Sequence, residues 1–156
     1  MSKLPEELIE LLKDPATSKI VGTIDEDGTP HLVAKGSLTT LDEESIVFAE
    51  GFEGTQSNRN LVRSIWFDRR VSVNITRGLT SYQVKGRPYK YLITGSTFRQ
   101  MINRARERRG QEADIAGVWV IVPEEIRNES PALRAREVAE KRGGFHNHLD
   151  VLRPKE

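Results

Sequence analysis

The sequence predicts a mainly β, α+β domain, and three observations carry that prediction. Short runs rich in β-branched and apolar residues, of strand length, recur at 20–24, 31–34, 46–49 and 71–75. Turn chemistry separates them, and helical patterns are confined to the two ends and to two connections.

Residues 5–13 read as a helix: Pro5 suits its first turn, Glu6 and Glu7 complement its positive end, and Leu8, Ile9, Leu11 and Leu12 share one face. Asp14-Pro15 ends it. Its polar residues are mostly acidic, which favours packing on the protein over lying on an anionic lipid surface. The runs 20–24 and 31–34 flank Asp-Glu-Asp-Gly-Thr-Pro at 25–30, where Gly28 can take positive φ and Pro30 must avoid a central ladder. An acidic turn at 40–45 leads to 46–49, and 70–76 alternates Val71, Val73 and Ile75 with polar residues, so the four runs read as a β-meander. Between the third and fourth runs lies a glycine-punctuated loop, 51–61, leading into a short helical pattern at Leu61, Val62 and Ile65. Backbone N–H groups at such a helix start, with Arg59 nearby, suit an anion.

After a turn at 77–80, strands are expected at 81–84 and 89–98, broken at Lys85-Gly86-Arg87-Pro88, with Gly95 marking a bulge or a close approach inside the second. Residues 99–110 form a basic helix with Arg99, Arg104, Arg106, Arg108 and Arg109 against Glu107 and a narrow stripe of Met101, Ile102 and Ala105. Two roles compete for those arginines, a solvated face and an anion site. The unbroken apolar run 116–123 is a buried strand that closes the sheet. Ser130 as cap and Pro131 in the first turn start a last helix that ends before Gly143-Gly144, and the polar tail 145–154 cannot form a core alone.

A length of 156 residues suits one domain, 1–156, with its N-terminal helix at 5–13, a barrel at 19–125 and a C-terminal helix and tail at 130–156. Lys+Arg of 24 against Asp+Glu of 23 leaves a formal charge of +1, so bulk charge points to neither nucleic acid nor membrane as partner. With 0 cysteines, disulfides, thiolate-held clusters and cysteine nucleophiles are excluded. The opening seven residues lack the basic start and apolar core of a signal peptide, and no run is long enough to span a bilayer. A soluble, cytoplasmic protein is expected.

The ordered series of strand, D-G-x-P-H turn, strand, acidic turn, strand ending F-A-E-G, polar loop ending N-L, short helix and R-R-V-S-V-x-I strand resembles the split β-barrel of the pyridoxamine-phosphate-oxidase-like superfamily, and particularly its small FMN-binding proteins. The resemblance covers residues 19–125 and implies a split β-barrel of about six antiparallel strands with peripheral helices. It implies FMN as cofactor, a homodimer with flavin at the subunit interface, and work as a flavin-dependent oxidoreductase or electron carrier on a small-molecule substrate or electron donor. Carried over by position, the cofactor-binding residues are Lys35, Gly36 and Ser37 of the second strand, Phe48, Ala49 and Glu50 at the end of the third, and Thr55, Gln56, Ser57, Arg59 and Asn60 of the loop. Many relatives carry a loop lysine where this chain has Gln56 and Ser57, so Arg59 or Lys35 must supply the cation. For Arg59 the competing role is an ion pair with Glu53, for Lys35 a solvent-facing edge position, and for Thr55 and Ser57 a helix cap.

That departure motivates a second reading, a flavin-free dimeric binding or regulatory barrel; a third is a relative using deazaflavin or haem. The ending V-L-R-P-K-E lacks the carboxy-terminal signature of the true pyridoxamine phosphate oxidases. His31 suits a structural hydrogen bond, whereas His146 and His148 form a His-x-His pair that lacks carboxylate or cysteine support for a metal and is the only histidine pair available to haem. No general acid or base stands out; Glu50, Tyr82, Tyr89 and Tyr91 are the candidates for lining a ring slot.

Overall fold

The computed structural model describes residues 3–141. One antiparallel sheet organises them, built from β1 (Ser18–Ile24), β2 (Pro30–Ala34), β3 (Ile46–Glu50), β4 (Val71–Arg77), β5 (Thr80–Leu92) and β6 (Gly117–Asn128) in the order β2-β1-β4-β5-β6-β3. The sheet curls until its two edge strands approach each other. Past β2 the chain leaves β1, where Lys35 N donates to Lys19 O at 2.9 Å, and crosses to β3, where Thr39 and Val47 exchange two bonds of 2.8 Å. This crossing joins the edges and makes a split barrel.

Alternation sets which side chains fill it. Val21 on β1, Val73 and Ile75 on β4, Tyr82 and Val84 on β5, and Ile46 and Phe48 on β3 point inward. Helix α1 (Glu6–Lys13) plugs one side of this core with Leu8 and Leu12, both 0% exposed. Burial on both faces explains the unbroken apolar run of β6: Trp119 and Ile121 enter the barrel while Val118 and Val120 pack outward with Val47 against Met101 of α3 (Ser96–Arg109). The remaining helices are α2 (Gln56–Trp66), between β3 and β4, and α4 (Pro131–Lys141).

The split barrel with peripheral helices follows the sequence reading, but four details of it are corrected. First, the strands are not a meander: β1 pairs with β4, and β3 pairs with β6. With α2 inserted after it and both of its faces covered, β3 cannot turn straight back onto a neighbour. Second, β5 runs unbroken through 85–88, because Gly86 and Pro88 sit at register shifts against β6, between Lys85 and Gly86 and between Pro88 and Lys90. Gly86 answers a contact: a Cβ there would lie 2.3 Å from the carbonyl oxygen of Val122. Third, β5 ends at Leu92 and Gly95 lies outside it, at φ +96° as the residue preceding α3, which therefore starts at Ser96 and takes in Phe98. Fourth, Ser130 does precede α4, its carbonyl accepting from Arg134 N at 3.1 Å, but its hydroxyl serves β5 instead, accepting a bond of 3.1 Å from Ser81 N. His146, His148 and the tail at 145–154 lie outside the described residues. Among the described residues no helix is long and apolar enough to cross a membrane.

Candidate functional site

The end of β3 carries the first half of the site. Because Ile46, Phe48 and Glu50 alternate inward, the carboxylate that ends the strand is buried at 1% exposure on the barrel side. An ionised group in that position needs partners. Lys35 Nζ supplies them, donating to Glu50 Oε1 at 2.9 Å and Oε2 at 3.2 Å, and the Thr55 hydroxyl donates to Oε1 at 3.1 Å. Lys35 Nζ also stands 5.7 Å from the ring centre of Phe48. One carboxylate thus fastens the segment after β2, the end of β3 and the start of α2. Ser37 adds a second fastening: its Oγ accepts from Ala49 N at 2.9 Å and donates to Ala49 O at 3.3 Å.

Across from this segment stands α3, and between them lies a groove of about 320 Å³. Lys35, Gly36, Ser37 and Ala49 form one wall, Arg104, Ala105 and Arg108 the other, and Met101 and Ile115 contribute apolar surface. The Arg108 guanidinium spans the groove and donates to Gly36 O at 3.3 Å. The spacing 101, 104, 105, 108 puts these α3 residues on one face. Sequence reasoning singled out the basic helix without placing Arg104 and Arg108 in the site. The signal was present in those two arginines, four residues apart and bracketing Ala105.

The stretch read as a polar loop to residue 61 is helix from Gln56 onward, and it turns its groups elsewhere. Thr55 caps α2, accepting from Asn58 N at 3.1 Å. Asn60 is 1% exposed and donates to Thr23 Oγ1 at 3.0 Å and Asp25 Oδ1 at 2.8 Å while accepting from Gln56 Nε2 at 2.9 Å. Arg59 donates to Gly54 O at 2.8 Å and Gln56 Oε1 at 2.6 Å, rather than pairing with Glu53. Ser57 is buried on the inner face of α2. The structure therefore gathers Lys35, Gly36, Ser37, Phe48, Ala49, Glu50 and Thr55 around the end of β3, and gives Gln56, Arg59 and Asn60 to a network that holds α2 on β1. Of the tyrosines, Tyr82 donates to Glu7 Oε2 at 2.6 Å, under α1, and Tyr89 is exposed. Tyr91 packs over Gly117 with its ring 4.8 Å from that of Trp119. Its hydroxyl is buried without a partner among the described residues, and burial, followed by the charges of Glu53 and Glu50, raises its pKa. The ring of His31 makes no hydrogen bond among the described residues, and these hold no cluster of three or more metal-ligating side chains.

Lys19 on β1, which the sequence did not single out, reports the field of the arginines. It is 4% exposed and donates to Leu12 O at the end of α1 at 2.7 Å. Burial, then the charges of Arg108 and Arg104, lower its ammonium pKa to about 8. Because the ordinary value of 10.5 lies above this, the unfolded chain holds the proton more tightly across the interval between them. Stability contributed at this position therefore rises as pH climbs from about 8 toward 10.5. Melting temperatures of the wild type and Lys19→Met, compared at pH 7 and pH 9.5, are expected to shift in favour of the wild type at the higher pH. Parallel profiles would contradict the assignment.

No protein-family model matches the chain, and no curated protein matches its sequence. Solved structures do match. HupZ of Group A Streptococcus superposes with a TM-score of 0.66 at 19% identity, covering 82% of this chain and 95% of its own. A candidate pyridoxamine 5'-phosphate oxidase from Lactobacillus delbrueckii gives 0.59 at 23% identity, covering 80% and 93%. An FMN-binding protein from Syntrophomonas wolfei gives 0.62 at 14% identity, covering 80% and 87%. The chain shares the split-barrel fold of these proteins. At these identities the likeness is one of fold. In this split barrel the groove lies where the chain crosses between the sheet's edges, beside the helix that links β5 to β6.

Proposed function

We propose that the protein binds flavin mononucleotide in the groove between residues 35–37 and α3, and works as a flavin-dependent oxidoreductase or electron carrier. The observation that carries this reading is the groove itself. It brings Lys35, Gly36, Ser37 and Ala49, nominated from sequence, onto one wall. Its volume of about 320 Å³ lies at the lower end of small-molecule sites, which suits a cofactor partly covered by a second subunit.

The residues present fit the group. A flavin needs apolar surface for a flat ring and cationic or N–H donors for a phosphate. Ala34, Ala49, Met101, Ala105 and Ile115 offer the former, and Arg104 and Arg108 the latter. Bound flavin supplies hydride or electron transfer at its ring. The chain's own residues bind and orient it: Ser37 fixes the wall to β3, and Glu50 holds Lys35 and Thr55 in register at the groove's inner end. Assembly as a homodimer, with the flavin between subunits, is supported by exposed apolar side chains on this single chain, Leu32 at 69%, Phe52 at 78% and Trp66 at 74%.

A visible absorption spectrum of protein purified without added cofactor, repeated after incubation with FMN and desalting, tests the proposal. A retained flavin spectrum at about one per chain is expected. Protein that stays colourless in both samples would sink it.

A further inference from the structure

Among the described residues, six arginines outside α3 meet carboxylates: Arg63 with Glu26, Arg70 with Glu124, Arg77 with Asp14, Arg87 with Asp68, Arg127 with Glu129 and Arg134 with Glu137; Arg59, Arg69 and Arg136 do not. The five arginines of α3 meet none among the described residues, and the only acidic side chain of that helix, Glu107, is exposed. Arg106, Arg108 and Arg109 donate to the backbone carbonyls of Ala113, Gly36 and Asp114, which positions them without neutralising them. A helix's negative end accounts for basic residues in its last turn, but Arg104 lies a turn earlier, lines the groove, and bonds nothing among the described residues.

The other cations near the groove are accounted for. Lys35 is paired with buried Glu50, and Arg59 is held by Gly54 and Gln56. Net positive charge in the groove therefore comes from α3.

We propose that Arg104 and Arg108, facing residues 35–37 across the groove, form a binding site for a multiply charged oxyanion, the phosphate or polycarboxylate end of a small-molecule ligand. Guanidinium forks suit such groups, since each presents paired donors to paired oxygens. The Gly36 carbonyl restrains Arg108, so less side-chain freedom is lost when a ligand arrives. The Lys19 ammonium, depressed first by burial, fits the same picture, because the Arg108 and Arg104 charges add to that effect. In taking this position the chain moves anion recognition from the loop after β3, which lacks a lysine, to the opposite wall. The site shares its groove with the proposed flavin, whose phosphate is one ligand of this class, and inorganic probes test it separately.

Calorimetric titration of the full chain with inorganic pyrophosphate and with citrate, at low ionic strength, decides the matter. Wild-type protein is expected to bind at least one of the two. Arg104→Gln/Arg108→Gln should weaken that binding by roughly tenfold or more, and Arg99→Gln, exposed on the same helix and outside the groove, should leave it unchanged. Because a double variant can misfold, the wild type supplies an independent readout. Bound anion should raise the Lys19 pKa, followed by NMR of the lysine side chain. Stronger binding of pyrophosphate would identify a phosphate ligand and stronger binding of citrate a polycarboxylate, either one in support. No binding of both probes, equal binding by the double variant, or an unmoved Lys19 would overturn the site. If pyrophosphate binds while FMN cannot be loaded, the flavin reading falls and the anion site stands; if FMN loads with neither probe bound, the reverse holds.

Discussion

Trp119→Ala is expected to destabilise the protein by about 3–5 kcal/mol, the usual range for removing a buried tryptophan. The indole is 1% exposed near the start of β6, opposite Phe48 on β3 and Tyr91 on β5, so three strands close around it. Collapse into the space left is hindered because its neighbours belong to a hydrogen-bonded barrel that cannot contract locally. A polar loss adds to the cavity. Trp119 Nε1 donates to Asn58 Oδ1 at 2.9 Å, and Asn58 Nδ2 in turn holds Glu53 O at 2.7 Å, so the indole anchors the loop that enters α2. Trp119→Phe should separate these contributions. It restores most of the apolar volume and should recover more than half of the stability, while leaving the loop at 51–55 less protected against hydrogen exchange. Urea unfolding of both variants, read alongside exchange rates, checks the prediction. An alanine variant within about 1 kcal/mol of the wild type would show that the barrel end is not packed as described.

The two variants also separate what the sequence made legible from what it did not. Alternation and β-branched content located β1 to β4 and β6, and the apolar face of Leu8, Leu12 and their neighbours located α1. These are local signals, carried by residues a few positions apart. Pairing order is not local. Nothing between residues 46 and 50 announces that β3 will meet β6 about seventy residues later, and a meander was the simpler reading. Gly86 and Pro88 misled for a related reason: both are turn residues by type, and only the shifted register against β6, with the Val122 carbonyl pressed on Gly86, turns them into bulges of a continuous strand. At the site, Lys35, Gly36, Ser37 and Ala49 were legible by position. The state of their charges was not, because Glu50 reaches Lys35 across fifteen residues and the arginines of α3 approach Gly36 from seventy-two residues away. One clue lay in plain view: the alternation Ile46, Phe48, Glu50 puts the carboxylate on the buried face, where an ionised group must have a cation.

That buried pair yields the prediction most closely tied to function. Glu50→Ala should destabilise the fold by about 3 kcal/mol or more, since it strands the Lys35 ammonium in a place where its side chain is only 13% exposed. The loss reaches beyond one pair. Thr55 gives up its acceptor at the cap of α2, and the segment at 35–37 loses its tie to the end of β3. If the pair mattered only as an ion pair, its removal as a unit would be tolerated, because replacing both charges by apolar groups of similar volume removes the desolvation penalty along with the attraction. Lys35→Met/Glu50→Leu is therefore expected to regain at least half of the stability lost in Glu50→Ala, with a coupling of about 1–3 kcal/mol across the double-mutant cycle with Lys35→Met and Glu50→Leu. Ligand binding should respond differently. With the anion held by Arg104 and Arg108, the double variant should keep pyrophosphate affinity within a few-fold of the wild type, whereas reliance on Lys35 would lower it by tenfold or more. Denaturant unfolding gives the first result and calorimetry the second. An additive cycle would show that Lys35 and Glu50 do not depend on each other, and a collapse of affinity in a well-folded double variant would return the anion to Lys35.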